Sequence, residues 1–261
     1  DLMKIATGGR LNMFQFFIPM SIFISKDRGV ICLITQNSLL GESTAFNCRK
    51  FIFSNTRIIE FSSFPERDNV NLRVFQGAKM SVCISLLQKK IQSQDYDFIL
   101  KVWKDKFMKD KIVNIINTKT IKNLDKEKLT IPLTSDEQIK ILEKIKNIKN
   151  TITLKVYSGE IDKTKYLPLF KDTGTYKLIN GAQVQRYFIT DNPQQGKVSY
   201  LDNLDFSGNK RAIENYSKKR IIMQRITGVD SRIRLVMSIG KDVLCVNSTN
   251  YILDEYDFSL E

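Results

Sequence analysis

Residues 11–25, LNMFQFFIPMSIFIS, are apolar at nearly every position. That pattern predicts a helix covered on most sides. Pro19 lacks a backbone donor, so the helix is expected to kink there or to start later. Arg28-Gly29 turns the chain into Val30-Ile-Cys-Leu-Ile34, a continuous apolar run of the kind buried in parallel sheets. Thr35 to Gly41 is a polar loop at that strand's carboxyl end, where open α/β sheets place ligands. Residues 42–54 read as a helix with Ala45, Phe46, Phe51 and Ile52 among its apolar positions. Arg57 to Phe61 is the next strand, Phe64 to Leu72 a polar loop, and Met80 to Leu87 a third strand. Strand, helix, strand and a further strand in this order predict the latter half of a doubly wound sheet.

Phe98 to Trp103 reads as a short strand or helix, and 104–133 as a Lys/Asn-rich connector with few large apolar residues in its middle. The domain boundary is expected there, giving domains 1–112 and 113–261. Thr134-Ser-Asp-Glu137 has the spacing of a capping box. Ile141, Leu142, Ile145 and Ile148 give the helix after it one apolar face. From Thr151 the pattern changes to short strands: 151–157, 176–179, 187–190, 220–226, 234–239, 243–246 and 251–253. Asp191-Asn-Pro-Gln, Ser207-Gly-Asn and Thr227-Gly-Val-Asp read as turns between them. The expected second half is a mixed, strand-rich α+β domain.

Composition changes this picture in one respect. The 261 residues carry a formal charge of +13. An anionic partner such as nucleic acid therefore stands beside the plainer reading, that much of the Lys is simply solvated. The four cysteines, 32, 48, 83 and 245, show no C-x-x-C spacing, and they read as reduced residues of a cytoplasmic protein. There is no histidine, which excludes Ser-His and Cys-His nucleophilic catalysis and His-ligated zinc within the chain. The run from Leu11 to Ile24 is short for a bilayer span, so no membrane is expected. An opening at Asp1, straight into a dense element, suggests a segment of a longer polypeptide.

No catalytic set stands out. Walker A, G-x-G-x-x-G and Glu-x-Lys patterns are all missing from the sequence, the last of these disfavouring a metal-dependent nuclease. The acidic run Asp254-Glu-Tyr-Asp257 suits a solvated tail better than a metal site. Asp191-Asn-Pro-Gln194 is a turn rather than an active-site loop.

Two patterns together carry a resemblance. The first is Arg28-Gly-Val-Ile-Cys-Leu-Ile-Thr-Gln-Asn-Ser-Leu39 with Arg49, Ile59-Glu-Phe61 and Phe64, then Val74-Phe-Gln-Gly-Ala-Lys-Met-Ser-Val-Cys-Ile84. The second is Gly181-x-x-Val184-x-Arg186-Tyr187, Lys219-Arg-Ile-Ile-Met-Gln224 and Asn247-Ser248. In this order they resemble the adenine-specific DNA methyltransferases of the TaqI-like class, in particular type IIS and type IIG restriction-modification proteins. The resemblance implies the end of a Rossmann-like methyltransferase domain followed by a target-recognition domain. It also implies transfer of a methyl group from S-adenosylmethionine to the exocyclic amine of adenine, after the base has left the stack. Phe75 then stands where the family stacks the flipped base, although an ordinary Phe anchoring the strand fits the position too. Gln76 and Lys79 flank it as DNA contacts. The family's methyl-donor loop and Asn-Pro-Pro-Tyr loop do not occur here. The segment alone is therefore expected to hold no cofactor and to be inactive without a missing N-terminal methyltransferase portion.

The basic run supplies the remaining candidates. Lys210, Arg211, Lys219, Arg220, Arg225, Arg232 and Arg234 suit phosphate contact with double-stranded DNA. Arg186, Gln224, Arg225, Asn247 and Asn250 suit base edges. For each residue alone, a surface charge or a turn hydrogen bond is the bland alternative. The chain is thus expected to be a DNA-binding piece of a restriction-modification enzyme. The alternative is a non-catalytic specificity subunit, which the absence of a duplicated half disfavours, and an RNA methyltransferase shares the first-domain pattern.

Overall fold

A computed structural model describes residue 5 and residues 12–66, 69–90, 94–148, 154–204, 210–227 and 233–254. The chain divides into two compact units, Asp1–Asn150 and Thr151–Glu261. Sequence placed the division at 112/113, which falls within strand β5 (Lys111–Asn117) of the first unit. The connector expected at 104–133 contains that strand and helix α4 (Thr118–Leu124). Asn117 explains the junction, because it ends β5 and its side chain accepts from Lys119 N to cap α4.

The first unit opens with α1 (Phe14–Ile24), which runs through Pro19. β1 (Val30–Gln36), the short helix α2 (Ser38–Gly41), α3 (Phe46–Asn55), β2 (Thr56–Phe64), β3 (Val82–Lys89) and β4 (Asp97–Trp103) follow, then β5 and α4. The five strands form one sheet in the order β1-β3-β2-β4-β5. It is mixed rather than parallel. β3 lies antiparallel between β1 and β2, β4 runs parallel to β2, and β5 is antiparallel to β4. α5 (Asp136–Lys146) is capped by Ser135 and Gln138, one residue later than the sequence box, with each side chain bonded to the other's backbone.

One face of this sheet is packed. Ile31, Ile58, Phe61, Leu87, Leu100 and Ile116 point into a cluster that also receives Ile18 and Ile22 of α1, Ile52 of α3, Ile121 of α4 and Ile139 of α5. The expected apolar stripe of α5 is not the buried one. Ile141, Leu142, Ile145 and Ile148 are each more than two-fifths exposed, and Ile139 is the anchor. Arg49 is buried within this unit. Its Nη1 donates to the carbonyls of Leu39 and Glu42 at 2.9 Å, and its Nε to that of Lys128 at 2.8 Å. One side chain thereby ties α2, α3 and the 125–131 loop together.

The second unit is strand-rich, as expected. β6 (Val156–Ser158), β11 (Arg220–Gln224), β12 (Met237–Gly240) and β14 (Thr249–Leu253) make an antiparallel sheet ordered β12-β11-β14-β6. β7 (Tyr176–Ile179), β10 (Ser199–Leu201) and β13 (Leu244–Cys245) make a second sheet, with β7 and β13 parallel. β8 (Val184–Gln185) and β9 (Phe188–Ile189) form a hairpin. Helices α6 (Lys163–Tyr166) and α7 (Lys210–Asn215) complete the unit. Alternate residues of β7 and β13 feed two cores, Leu178 and Leu244 into one and Ile179 and Cys245 into the other. The small sheet is thus buried on both faces.

Candidate nucleic-acid interface

The second unit carries a groove of about 550 Å³ lined by Lys163, Asn180, Gln194, Gln195, Gln224 and Thr227, among others, and none of its lining residues is acidic. Three segments converge on it for local reasons. Asn180 caps the turn 181–183 by accepting from Ala182 N. Gly181 N donates to Ser248 Oγ at 3.0 Å, and a Cβ at Gly181 would sit 2.9 Å from Ser248 O, so glycine permits this close approach. Gln224, at the end of β11, donates from Nε2 to Val184 O at 2.7 Å and keeps its amide oxygen available at the groove. Gln194 and Gln195 come from the turn that the sequence placed at 191–194.

Several predicted residues meet at this groove. Arg225 is exposed and follows Gln224. Its Nη1 donates to Asn247 O, and its backbone N to Ser248 O. The Asn247 amide donates to Asp162 Oδ1, which also caps α6 beside Lys163. Asn250 is half-buried in β14 opposite Met223. Arg186 and Tyr187 form the tip of the β8–β9 hairpin. The guanidinium lies 5.2 Å from the Tyr187 ring centre, Tyr187 has φ +75°, and Tyr187 and Phe188 are both mostly exposed. An arginine on an open aromatic tip is a surface on which a base or phosphate can rest.

Other members of the set are drawn elsewhere. Arg220 is a correction. It is wholly buried, with Nη1 2.7 Å from Glu160 Oε1, its guanidinium 4.7 Å from the Tyr251 ring centre, and Nη2 bonded to Asn215 O. It cannot reach DNA without unfolding its surroundings. Burial works against the charged guanidinium, and the Glu160 carboxylate more than offsets it, so Arg220 stays charged. Lys219 pairs with Asp254 at 3.1 Å, and Arg211 donates to Ser158 O and lies over Tyr157. Lys210 and Arg234 are exposed, on α7 and just before β12. Arg232, the turn at 207–209 and the acidic run beyond Asp254 lie outside the described residues. Lys163, Asn180, Gln194, Gln195 and Thr227 were missed. Their one sequence signal is that they fall in turn segments, which positions nothing.

In the first unit Phe75 is 46% exposed, in the loop between the single-turn helix 70–72 and β3. Gln76 is exposed beside it, and Lys79 lies 3.6 Å from Glu66. At the carboxyl end of β1, Thr35 Oγ1 and Asn37 Oδ1 are buried without hydrogen-bond partners. These two oxygens can only begin a ligand site. The chain's residues do not make a cradle for S-adenosylmethionine, and no chemical step is assigned to that group here. Among the described residues no cluster of three or more Cys, Asp or Glu could hold a metal, and no helix is long and apolar enough to cross a membrane.

The first unit is a mixed-sheet α/β domain and the second a strand-rich domain with a polar, cation-bordered groove. Residues 3–71 match the model of the Eco57I restriction-modification methylase family. No curated protein matches the chain. Among solved structures the fold is similar to the type IIL restriction-modification enzyme MmeI in complex with DNA, with TM-score 0.51 and 8% identity over 92% of this chain and 35% of that one. It is similar also to the DrdV–DNA complex, with TM-score 0.52 and 10% identity over 95% and 32%. The chain therefore spans about a third of the length of either. The resemblance to restriction-modification methyltransferases legible in the sequence is borne out.

Proposed function

We propose that the chain is the DNA-recognising part of a restriction-modification enzyme, joined to the end of its methyltransferase domain. The groove of the second unit is the observation that carries this reading. Carboxamides from separate segments line it, Lys163 and Arg225 border it, and no carboxylate repels a phosphate from it. Amides and guanidinium groups are the side chains that make paired hydrogen bonds to adenine and guanine edges, while cations on the rim neutralise phosphates. The family match over 3–71 and the likeness of fold to MmeI and DrdV place the chain in this functional setting.

On this reading the intact enzyme methylates the exocyclic amine of adenine with S-adenosylmethionine, and Phe75 stacks the flipped base. The donor-binding residues belong to the part of the enzyme that the chain does not span. The test is titration of the full chain with short duplexes of randomised sequence at several salt concentrations, followed by sequencing of the bound fraction. Enrichment of one short motif supports the reading. Equal affinity for every duplex, or tighter binding of single-stranded RNA, would overturn it.

A further inference from the structure

The first unit is finished on one side only. Every helix with buried residues in the core cluster packs on the face that carries Ile31, Phe61 and Leu100. The strand register puts Val30, Cys32 and Ile34 of β1, with Val113 and Ile115 of β5, on the opposite face. There Val30 is 62%, Ile34 51% and Ile115 69% exposed. The charges at the middle of that face, Glu60 and Lys101, neutralise each other at 2.6 Å. α1 repeats the pattern. Phe14, Ile18 and Ile22 are buried, whereas Met13, Phe17, Met20 and Ile24, spaced four, three and four residues apart, form an exposed apolar stripe. β1 is also a sheet edge, hydrogen-bonded to β3 alone. A long apolar edge strand with an uncovered face invites another chain.

We propose that this surface seats the part of the restriction-modification polypeptide that the chain does not span: an α/β segment that adds a strand to β1 and covers the open sheet face and the outer stripe of α1. The inference rests on the reading under Proposed function. The chain spans 35% and 32% of the MmeI and DrdV chains, so a polypeptide of that kind has ample length for the cover. A second copy fits less well. Strand pairing through β1 of two copies would extend the open face instead of covering it, and both α1 stripes would stay bare.

The chain carries its own reporters. Cys32 is the one exposed thiol, whereas Cys48, Cys83 and Cys245 are buried, with burial pushing each thiol up to about 12. Trp103, the single tryptophan, lies on the open face, as its register opposite Lys111 and its bond to Ser62 require. The experiment mixes the full chain with the polypeptide encoded immediately upstream in the same reading frame, expressed separately. Gel filtration, the rate of Cys32 labelling by a maleimide and Trp103 emission are then followed. The expected result is a one-to-one complex, at least tenfold slower labelling and a blue shift. Ile34→Lys, on the solvent side of β1, should leave the fold intact and abolish the complex. Four outcomes would overturn the proposal: no upstream coding segment, no complex, a complex with unchanged labelling, or Cys32 already unreactive in the chain alone because its second unit or a second copy covers it. Duplex binding by the full chain is measured in parallel. Retained, sequence-selective binding with no complex would sink the docking surface alone, and loss of selective binding would sink the functional reading.

Discussion

Arg220 and Glu160 form an ion pair closed off from solvent, with Nη1 2.7 Å from Oε1 and neither side chain exposed. The pair joins β11 to the segment after β6, where Gly159 passes so close to Val246 O that a Cβ there would lie 2.1 Å from it. Removing one partner leaves an uncompensated buried charge, which costs about 3–5 kcal/mol. Arg220→Met should therefore destabilise the second unit by about that much in denaturant unfolding, and Arg220→Met with Glu160→Leu should recover part of the loss. Equal stability of wild type and the single variant would show that the pair is open to water.

Arg225 and Gln195 should separate affinity from specificity. Arg225→Ala is expected to weaken every duplex alike and to lower the salt slope by about one. Gln195→Ala should leave the slope intact and relax preference at one position of the motif, by about 1–3 kcal/mol. Competition titrations at three or more salt concentrations read both effects. A slope change in the glutamine variant would remove Gln195 from the base-reading set.

Phe75 is half open to solvent, so Phe75→Ala should not move the unfolding midpoint of the chain. In the intact enzyme it should reduce methyl transfer, since an aromatic that stacks a base contributes about 1–3 kcal/mol. Wild-type turnover together with a lower midpoint would make Phe75 an anchor of β3 instead.

Arg49 satisfies three carbonyls from two loops. Burial pulls its pKa down, with Asp125 opposing. Arg49→Met keeps the stem and removes the donors. Unpaired buried acceptors cost about 1–3 kcal/mol each, so the variant should lose about 3 kcal/mol or more in chemical denaturation. Duplex affinity of the folded fraction should not change.

Local order was readable because it is written in neighbouring residues. β7 at 176–179 was placed to the residue, and β1, β2, β3 and β11 to within a few residues at each end, because β-branched runs between turn signals decide them. Sheet direction was not readable. Val30 to Ile34 has the composition of a buried parallel strand, yet its partner β3 is antiparallel and alternate residues face solvent. Composition also hid β5, since Lys111, Asn114 and Asn117 dilute its apolar residues until Phe98 pairs with Ile116.

By itself, the sequence determined that this is a basic, two-part α/β and strand-rich chain, and it pointed to the family whose model matches residues 3–71. It also determined that the basic run 210–234 would be central to the second unit. Tertiary structure decided which of those charges faces water. A guanidinium carries no mark of its own burial. Glu160, sixty residues earlier, makes a buried Arg220 tolerable, while Arg225, five residues on, lies past the end of β11 where the chain leaves the core. The groove, likewise, exists only where the turns at 180–182, 194–196 and 224–227 are brought together, because hydrogen bonds such as that from Gly181 to Ser248 act across distances that sequence spacing does not encode.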